Sequence, residues 1–481
     1  MQRSAGILLH PTSLPGPYPV GDLGTVAYRW IDWLAEAGVT WWQMLPINPP
    51  GFAASPYQAT SAFAGNPLLI SPEQLLADGL LDTIPAPDRS SGPIDFEHAE
   101  VWKTPLLAEA ADRLPRDDRF ASFRRQNSAW LDDYALFHTL KAVYGGGSLF
   151  DWPDPIRKRD PDAIEAARIR FAAEIDREAS QQFLFFDQWA RLRRYASERG
   201  VSLMGDVPIF VASDSADFWT RPELFDLDED GHLRVVAGVP PDYFAETGQL
   251  WGNPLYDWDA HQTDNYSWWI GRLRKLLELV DVVRIDHFRA FADFWEVPAD
   301  SPTAEQGRWV LGPGKQFFEA VRNGLGGLPF IAEDLGQVHA IVPELRDAFG
   351  LPGMKIAQFS FTTPPDPPSA WPTHTIGYTG THDNDTTRGW WTTASEVEKE
   401  RAAILEGVHH STISPDLIRA VWRSDSTIAF APIQDVLDLG AEARMNHPGT
   451  VGSHNWTWRL EELPGPEEAL RMRRLNAETN R

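Results

Sequence analysis

The residues best suited to chemistry in this 481-residue chain are carboxylates that follow short apolar runs. Four such runs lead to Asp206, Asp286, Glu333 and Asp383. A lone Asp after a strand is usually a cap or turn residue, but four carboxylates that all follow strands favour a shared site. Clustered carboxylates raise one another's pKa, so one stays protonated as an acid while another remains ionised. Two-carboxylate glycoside chemistry is therefore the natural candidate.

Composition removes several other kinds of chemistry. The chain has no cysteine, which excludes disulfides, thiolate zinc sites, iron–sulfur clusters and a catalytic thiol. Residues 226–231 match the opening of a calcium loop, but Ala237 stands where the loop needs Glu. We therefore expect neither a metal site nor a cofactor.

The charge and the tryptophan content indicate what the protein binds. The 43 basic and 68 acidic residues give a formal charge of −25, which disfavours nucleic acid and anionic membrane surfaces as partners. The 21 tryptophans favour a carbohydrate ligand, because flat aromatic faces stack on sugars, although a large core also uses Trp. No apolar run approaches the ~20 residues of a membrane span, and we expect a cytoplasmic protein.

The elements that must position these carboxylates alternate between strand and helix. Eight apolar or β-branched runs are separated by helical patterns, which predicts a (β/α)8 TIM barrel with its active site at the strands' carboxyl ends. A doubly wound sheet is the alternative, but residues 10–13 lack the Gly-rich turn typical of that fold. The predicted strands are 5–9, 40–45, 201–207, 281–285, 330–332, 354–356, 375–378 and 427–431.

The rhythm of the barrel is interrupted twice. We predict one catalytic domain over residues 1–481, with large helical and loop insertions after the second and third strands. The first insertion, 46–180, contains helical patterns at 128–143 and 161–178, and a separate helix is predicted at 182–198. The second insertion, 208–260, is predicted as a loop region over the cleft.

Motifs along most of the chain resemble those of the amylomaltases, the 4-α-glucanotransferase branch of the α-amylase clan. The resemblance implies a barrel without the C-terminal β-sandwich of α-amylases, and we expect none after the eighth strand. The matching segments are 9–16, 55–58, 61–67, 238–249, 251–254, 284–289, 332–336, 381–384 and 452–456.

The resemblance implies a role for each of three carboxylates. Asp286 is expected to attack the anomeric carbon and form a β-linked glycosyl-enzyme, while Glu333 serves as acid and then base. Asp383 is expected to bind hydroxyls of the −1 sugar and favour its distorted geometry. Arg284 lies two residues before Asp286, so its side chain points to the same side and can hold that carboxylate ionised.

Three more residues match family positions that contact the donor sugar. Tyr57 resembles the aromatic platform beneath the −1 sugar, although an isolated Tyr in such a loop is more often a packing residue. Asp206 and His382 match positions that contact sugar hydroxyls. All three are expected to bind substrate.

The segment from Tyr243 to Trp251 resembles a family loop that lies over the cleft. Its aromatic side chains are expected to grip the acceptor and exclude water, and Gln249 to bind hydroxyls. Bulk water is about 55 M, so transfer needs a closed site and an acceptor bound by several kcal/mol. The resemblance, and not the spacing of residues, favours transfer over hydrolysis.

The sequence thus predicts a 4-α-glucanotransferase that disproportionates α-1,4-glucans with retention. Donors are expected to be maltooligosaccharides or glycogen-type chains, and acceptors glucose or another glucan. An α-glucan hydrolase with the same carboxylates is the nearest alternative. A non-catalytic carbohydrate-binding protein is the alternative of another class, although a binding protein has no need of all three carboxylates.

Overall fold

The structure, a computed structural model, describes residues 2–88, 91–241, 246–336, 339–452 and 454–481. In these residues the strands, in chain order, are β1 (Ser4–Leu8), β2 (Trp41–Gln43), β3 (Ser202–Val207), β4 (Val235–Val239), β5 (Gln249–Pro254), β6 (Val282–Ile285), β7 (Asp293–Pro298), β8 (Arg308–Leu311), β9 (Phe330–Ala332), β10 (Gly353–Ile356), β11 (Thr375–Tyr378) and β12 (Ile428–Pro432).

Eight of these strands form a closed parallel barrel, in the order β1, β2, β3, β6, β9, β10, β11, β12 and back to β1. Each coincides with one of the eight runs predicted from the sequence, so the predicted TIM barrel is confirmed. Ends differ by one or two residues, which is the usual uncertainty of strand boundaries.

The interior of the barrel is a close-packed apolar layer. Met204, Val282 and Ile331, from three neighbouring strands, are buried in one cluster with Phe430. Gly6 on β1 makes room for the Phe430 ring, because a Cβ there would lie 2.0 Å from a ring carbon. This layer supports the rim above it, where the strands end.

A second sheet was not predicted from the sequence. It is antiparallel, has the order β5-β4-β7-β8, and is built from segments that follow the third and fourth barrel strands. Residues 208–260 were expected to be loop, and they contain β4 and β5. β4 pairs with β7, whose residues lie some sixty positions further along the chain, so this pairing leaves no local pattern.

Most predicted helices are present, with one clear difference. Residues 161–178 and 182–198 were predicted as two helices, and the structure instead divides them at Phe171. Residues 172–198 contain neither Gly nor Pro, so one helix continues through them. The helices are α1 (Thr25–Glu36), α2 (Pro72–Ala77), α3 (Phe96–Arg113), α4 (Asp118–Gln126), α5 (Leu131–Val143), α6 (Asp154–Arg157), α7 (Pro161–Arg170), α8 (Ala172–Glu198), α9 (Ala216–Thr220), α10 (Trp258–Thr263), α11 (Ser267–Leu279), α12 (Gly314–Leu325), α13 (Ile341–Ala348), α14 (Thr387–Thr393), α15 (Glu396–Glu406), α16 (Ile413–Arg423), α17 (Ile433–Val436) and α18 (Pro466–Thr479).

Within the described ranges, no helix is both long enough and apolar enough to cross a bilayer.

Candidate active site

Polar side chains replace apolar ones at the carboxyl ends of three adjacent barrel strands. Asp206, Arg284 and Glu333 each follow an interior apolar residue by two positions. Because side chains alternate along a strand, these residues continue the inward-facing rows of β3, β6 and β9. The barrel therefore presents a charged layer directly above its apolar one.

Asp286 and Glu333 lie at the ends of neighbouring strands. The backbone N–H of Asp286 donates to Val207 at 3.0 Å and that of Glu333 to Ile285 at 3.1 Å, so both extend the strand ladders by one residue. The N–H of His287 donates to Glu333 Oε2 at 2.8 Å. The Glu333 carboxyl is thus held against the residue that follows Asp286, and the structure brings the two predicted carboxylates together.

Arg284 links two carboxylates beneath the rim. Its Nη1 donates to both oxygens of Asp206, at 2.9 and 2.7 Å, and to Asp286 Oδ1 at 2.9 Å. Arg284 is 3% exposed and Asp206 2%. The Asp286 side chain remains 25% exposed, so one of three linked groups is open to a ligand. The guanidinium therefore fixes the position of the carboxylate that a substrate can reach.

The electrostatics of Glu333 suit an acid that also acts as a base. Burial raises the pKa of Glu333 to about 7, and the charge of Asp286 adds to the rise. The Arg284 charge and the N–H groups of Leu335 and His287 oppose it. A carboxyl with a pKa near neutrality both donates and accepts a proton readily at physiological pH.

The pKa of Asp383 is shifted in the opposite direction, downward. Burial favours its protonated form, but His382, Asn446 and Arg284 outweigh burial and hold the pKa of Asp383 well below its usual range. Asn446 Nδ2 donates to Asp383 Oδ1 at 2.6 Å, and His382 Nε2 lies 3.3 Å from Asp383 Oδ2. The site therefore combines a carboxyl that titrates near neutral pH, Glu333, with a carboxylate that stays ionised, Asp383.

Tyr57 forms one wall of the site. Its hydroxyl donates to Asp206 Oδ2 at 2.8 Å, and its ring stacks on His382 at 5.2 Å between centroids. The Trp456 ring lies 5.6 Å from that of Tyr57. Burial raises the pKa of Asp206 to about 6 in spite of Arg284. The structure thus brings Tyr57, Asp206 and His382 to the same place as the three rim carboxylates.

The cleft-side residues of the second insertion are only partly described. Tyr243 lies outside the described residues. Gln249 and Trp251 are on β5, where Trp251 Nε1 donates to Gln249 Oε1 at 3.3 Å. The Trp251 ring meets the His287 ring edge-on at 4.8 Å. The start of β5 therefore reaches the rim next to Asp286.

Two contacts of the site were missed in the sequence. Asn446 binds the Asp383 carboxylate, and Arg444 Nη2 donates to the Asp383 carbonyl at 2.6 Å. Both precede the 452–456 motif, but nothing local marks them as partners of a residue some sixty positions earlier. Across the part of the chain that the structure describes, no group of three or more His, Asp or Glu side chains could hold a metal ion.

Comparisons with known sequences and structures agree on one protein family. A family model described as 4-alpha-glucanotransferase matches residues 9–464. A 4-alpha-glucanotransferase of Thermus thermophilus is 47% identical over 501 aligned residues, covering 100% of this chain and 99% of that protein. A chloroplastic/amyloplastic 4-alpha-glucanotransferase of Solanum tuberosum is 44% identical, covering 95% and 82%. The structure of an amylomaltase from Streptococcus agalactiae in complex with acarbose superposes with a TM-score of 0.95 at 35% identity, covering both chains completely.

Proposed function

Because the chain belongs to the 4-alpha-glucanotransferase family, we propose that its rim carboxylates transfer α-1,4-glucan segments by a retaining double displacement. The protein is a 4-alpha-glucanotransferase that acts on α-glucans. The observation that supports the mechanism best is the pairing at the rim. Glu333 accepts a hydrogen bond from the residue after Asp286, while Arg284 binds Asp286 itself.

In the first step, Asp286 attacks the anomeric carbon of the donor and the bond to the glycosidic oxygen breaks. Arg284 donates to Asp286 Oδ1 and so orients the attacking carboxylate. Glu333 gives its proton to the departing oxygen, so the leaving glucan departs as a neutral alcohol. The product of this step is a β-linked glycosyl-enzyme and an ionised Glu333.

In the second step, the 4-hydroxyl of an acceptor sugar attacks the same carbon. Glu333 takes the proton of that hydroxyl, and the bond to Asp286 breaks. Two inversions at one carbon regenerate the α-1,4 linkage, and Glu333 is again protonated for the next cycle. A pKa of about 7 allows one carboxyl to serve both steps.

The sugar in the −1 position is held by the residues around Asp383. An ionised Asp383 accepts hydrogen bonds from sugar hydroxyls, and these strengthen as the ring flattens and gains positive charge. We assign the Tyr57 ring to the platform beneath this sugar, and Asp206 and His382 to its hydroxyls. The stack of Tyr57 on His382 and the bond from Tyr57 to Asp206 support this grouping.

Transfer over hydrolysis depends on the acceptor side. We assign Gln249, Trp251 and Tyr243 to acceptor binding and water exclusion. The contact between Trp251 and His287 supports this, since it places an aromatic ring beside the rim that holds Asp286. Donors would be maltooligosaccharides and other α-1,4-glucans, and acceptors glucose or glucans.

We also propose that the protein works in the cytoplasm and without a metal or cofactor. A plant relative is named as chloroplastic/amyloplastic, so the location has to be measured for this protein itself. Cell fractionation followed by an activity assay tests the first proposal. Unchanged activity after exhaustive dialysis against a chelator tests the second.

Incubation with maltotriose tests the proposed function. We expect a ladder of longer and shorter chains with a constant number of reducing ends, because every bond broken is replaced by another. Glu333→Gln should abolish the ladder, whereas the exposed Glu344→Gln on α13 should not change it. Rising reducing ends would instead indicate a hydrolase, and an untouched substrate would indicate a binding protein.

A further inference from the structure

Asp435 is a buried carboxylate that the proposed chemistry does not use. It lies on α17, just after β12, and is 1% exposed. Three donors surround it: Thr379 Oγ1 at 2.5 Å, the Thr387 N–H at 2.7 Å and Thr387 Oγ1 at 2.7 Å. Two hydroxyls and one backbone N–H therefore converge on this one side chain and join the two threonines through it.

The two threonines mark the ends of one loop. Thr379 follows β11 directly, and Thr387 is the first residue of α14. The residues between them include His382 and Asp383. One carboxylate from the next βα unit therefore holds both the entry and the exit of the loop that carries the Asp383 carboxylate.

The loop between these two ends has its own internal bonds. Asn384 Oδ1 accepts from the Thr381 N–H and from Thr381 Oγ1, both at 2.9 Å, which closes a tight turn around Asp383. From outside the loop, Gln358 Nε2 donates to the carbonyl of Asp385 at 2.7 Å. The bonds between Thr381 and Asn384 make the turn rigid. Its position relative to the barrel is set by its two ends at Asp435 and by bonds from outside the loop, which come from Gln358, Arg444 and Asn446.

Position matters because Asp383 acts on a sugar held by other strands. A site must hold its groups to within about 0.5 Å, and an error of 1 Å can cost 10²-fold in rate. We infer that Asp435 is a positioning residue: by joining Thr379 to Thr387 it fixes Asp383 at the distance the transition state requires. This inference rests on the proposed role of Asp383.

The test is Asp435→Asn, which keeps the size of the side chain but replaces one acceptor oxygen with an NH2 donor. We expect kcat for maltotriose disproportionation to fall by about 10- to 100-fold, with KM changed less than about twofold. Asp416→Asn is the matched control, because Asp416 accepts similar bonds from Thr412 Oγ1 at 2.6 Å and the His409 N–H at 3.2 Å outside the 379–387 loop. The control should keep wild-type kcat.

Acarbose binding distinguishes positioning from a general loss of stability. Its unsaturated ring resembles the flattened sugar of the transition state, so its affinity reports how well Asp383 is placed. Asp435→Asn should weaken acarbose about tenfold in the wild type but should have no further effect in an Asp383→Asn background. An equal effect in both backgrounds, or a lower melting temperature with kcat and acarbose affinity unchanged, would overturn the inference.

Two further variants, Thr379→Val and Asp383→Asn alone, separate the remaining outcomes. If Asp435→Asn does not fold, Thr379→Val is measured instead. This change removes the hydroxyl that donates to Asp435 but keeps nearly the same side-chain volume, and kcat should fall about fivefold. Unchanged kcat in that variant would overturn the inference. A wild-type kcat for Asp383→Asn alone would refute the proposed role of Asp383 itself, whereas an impaired Asp383→Asn with an unimpaired Asp435→Asn would refute only the inference.

Discussion

Raising the pH above 7 should slow the first chemical step, because Glu333 must be protonated to release the leaving glucan. Burial raises the pKa of Glu333 to about 7 from an ordinary value of 4.5. At pH 8 only about a tenth of the molecules keep the proton, so kcat/KM for maltotriose should fall about tenfold for each pH unit above 7. If Glu333 had its ordinary pKa of 4.5, the same decline in kcat/KM would begin about 2.5 pH units lower.

A donor with a good leaving group isolates the contribution of Glu333. Fluoride departs without being protonated, so the decline above pH 7 should disappear when α-maltosyl fluoride replaces maltotriose as the donor. The measurement is initial rate against donor concentration between pH 5 and 9, for both donors, at a fixed acceptor concentration. A decline with both donors, or a midpoint below pH 6 with maltotriose, would refute the assignment of the acid to Glu333.

Three other perturbations follow from the site. Glu333→Gln should raise the free energy of unfolding at pH 8. The pKa of Glu333 is higher in the folded state, so the wild type loses stability as the pH rises from 4.5 to 7, and the 2.5-unit shift corresponds to about 3 kcal/mol. Equal denaturation midpoints for wild type and variant at pH 8 would contradict this. Arg284→Gln leaves the buried Asp206 and the partly exposed Asp286 without their cation. We therefore expect about 3–5 kcal/mol loss of stability by urea unfolding and no measurable transfer, and a variant as stable and active as the wild type would contradict the role of this ion pair. Trp251→Ala should increase the ratio of new reducing ends to transfer products several-fold, because it opens the rim beside His287 to water. The control Trp309→Ala, on β8, should leave this ratio unchanged. Equal ratios in both variants would show that Trp251 does not exclude water.

The eight barrel strands could be predicted because each is a short apolar run bounded by turn residues. Their order around the barrel follows from chain order once the fold class is known. The second sheet could not be predicted in the same way. β4 pairs with β7, which belongs to a different insertion, and such non-local pairing leaves no pattern in either segment alone.

The same distinction applies to the site. Asp286, Glu333 and Asp383 could be proposed because each follows a predicted strand, where barrel sites lie. Arg284 could be placed beside Asp286 because their spacing of two puts both on one side of a strand. Residues whose function depends on a distant partner carried no such signal.

Asn446 and Asp435 are the clearest examples. Asn446 binds Asp383 across 63 residues of sequence, and Asp435 binds Thr379 across 56. Neither an Asn in a loop nor an Asp after a strand is unusual, so only the folded chain identifies what each one holds.

The central claim is that Asp286 becomes covalently linked to the donor sugar. Its most direct test is mass spectrometry of Glu333→Gln treated with a maltotriosyl fluoride that lacks the non-reducing 4-hydroxyl, which can donate but cannot accept. Fluoride leaves without an acid, and the missing base slows the second step, so the intermediate should accumulate. The account predicts a mass increase of one deoxymaltotriosyl unit that peptide mapping assigns to Asp286. A label on Asp206 or Asp383, or fluoride release with the protein unmodified, would contradict it.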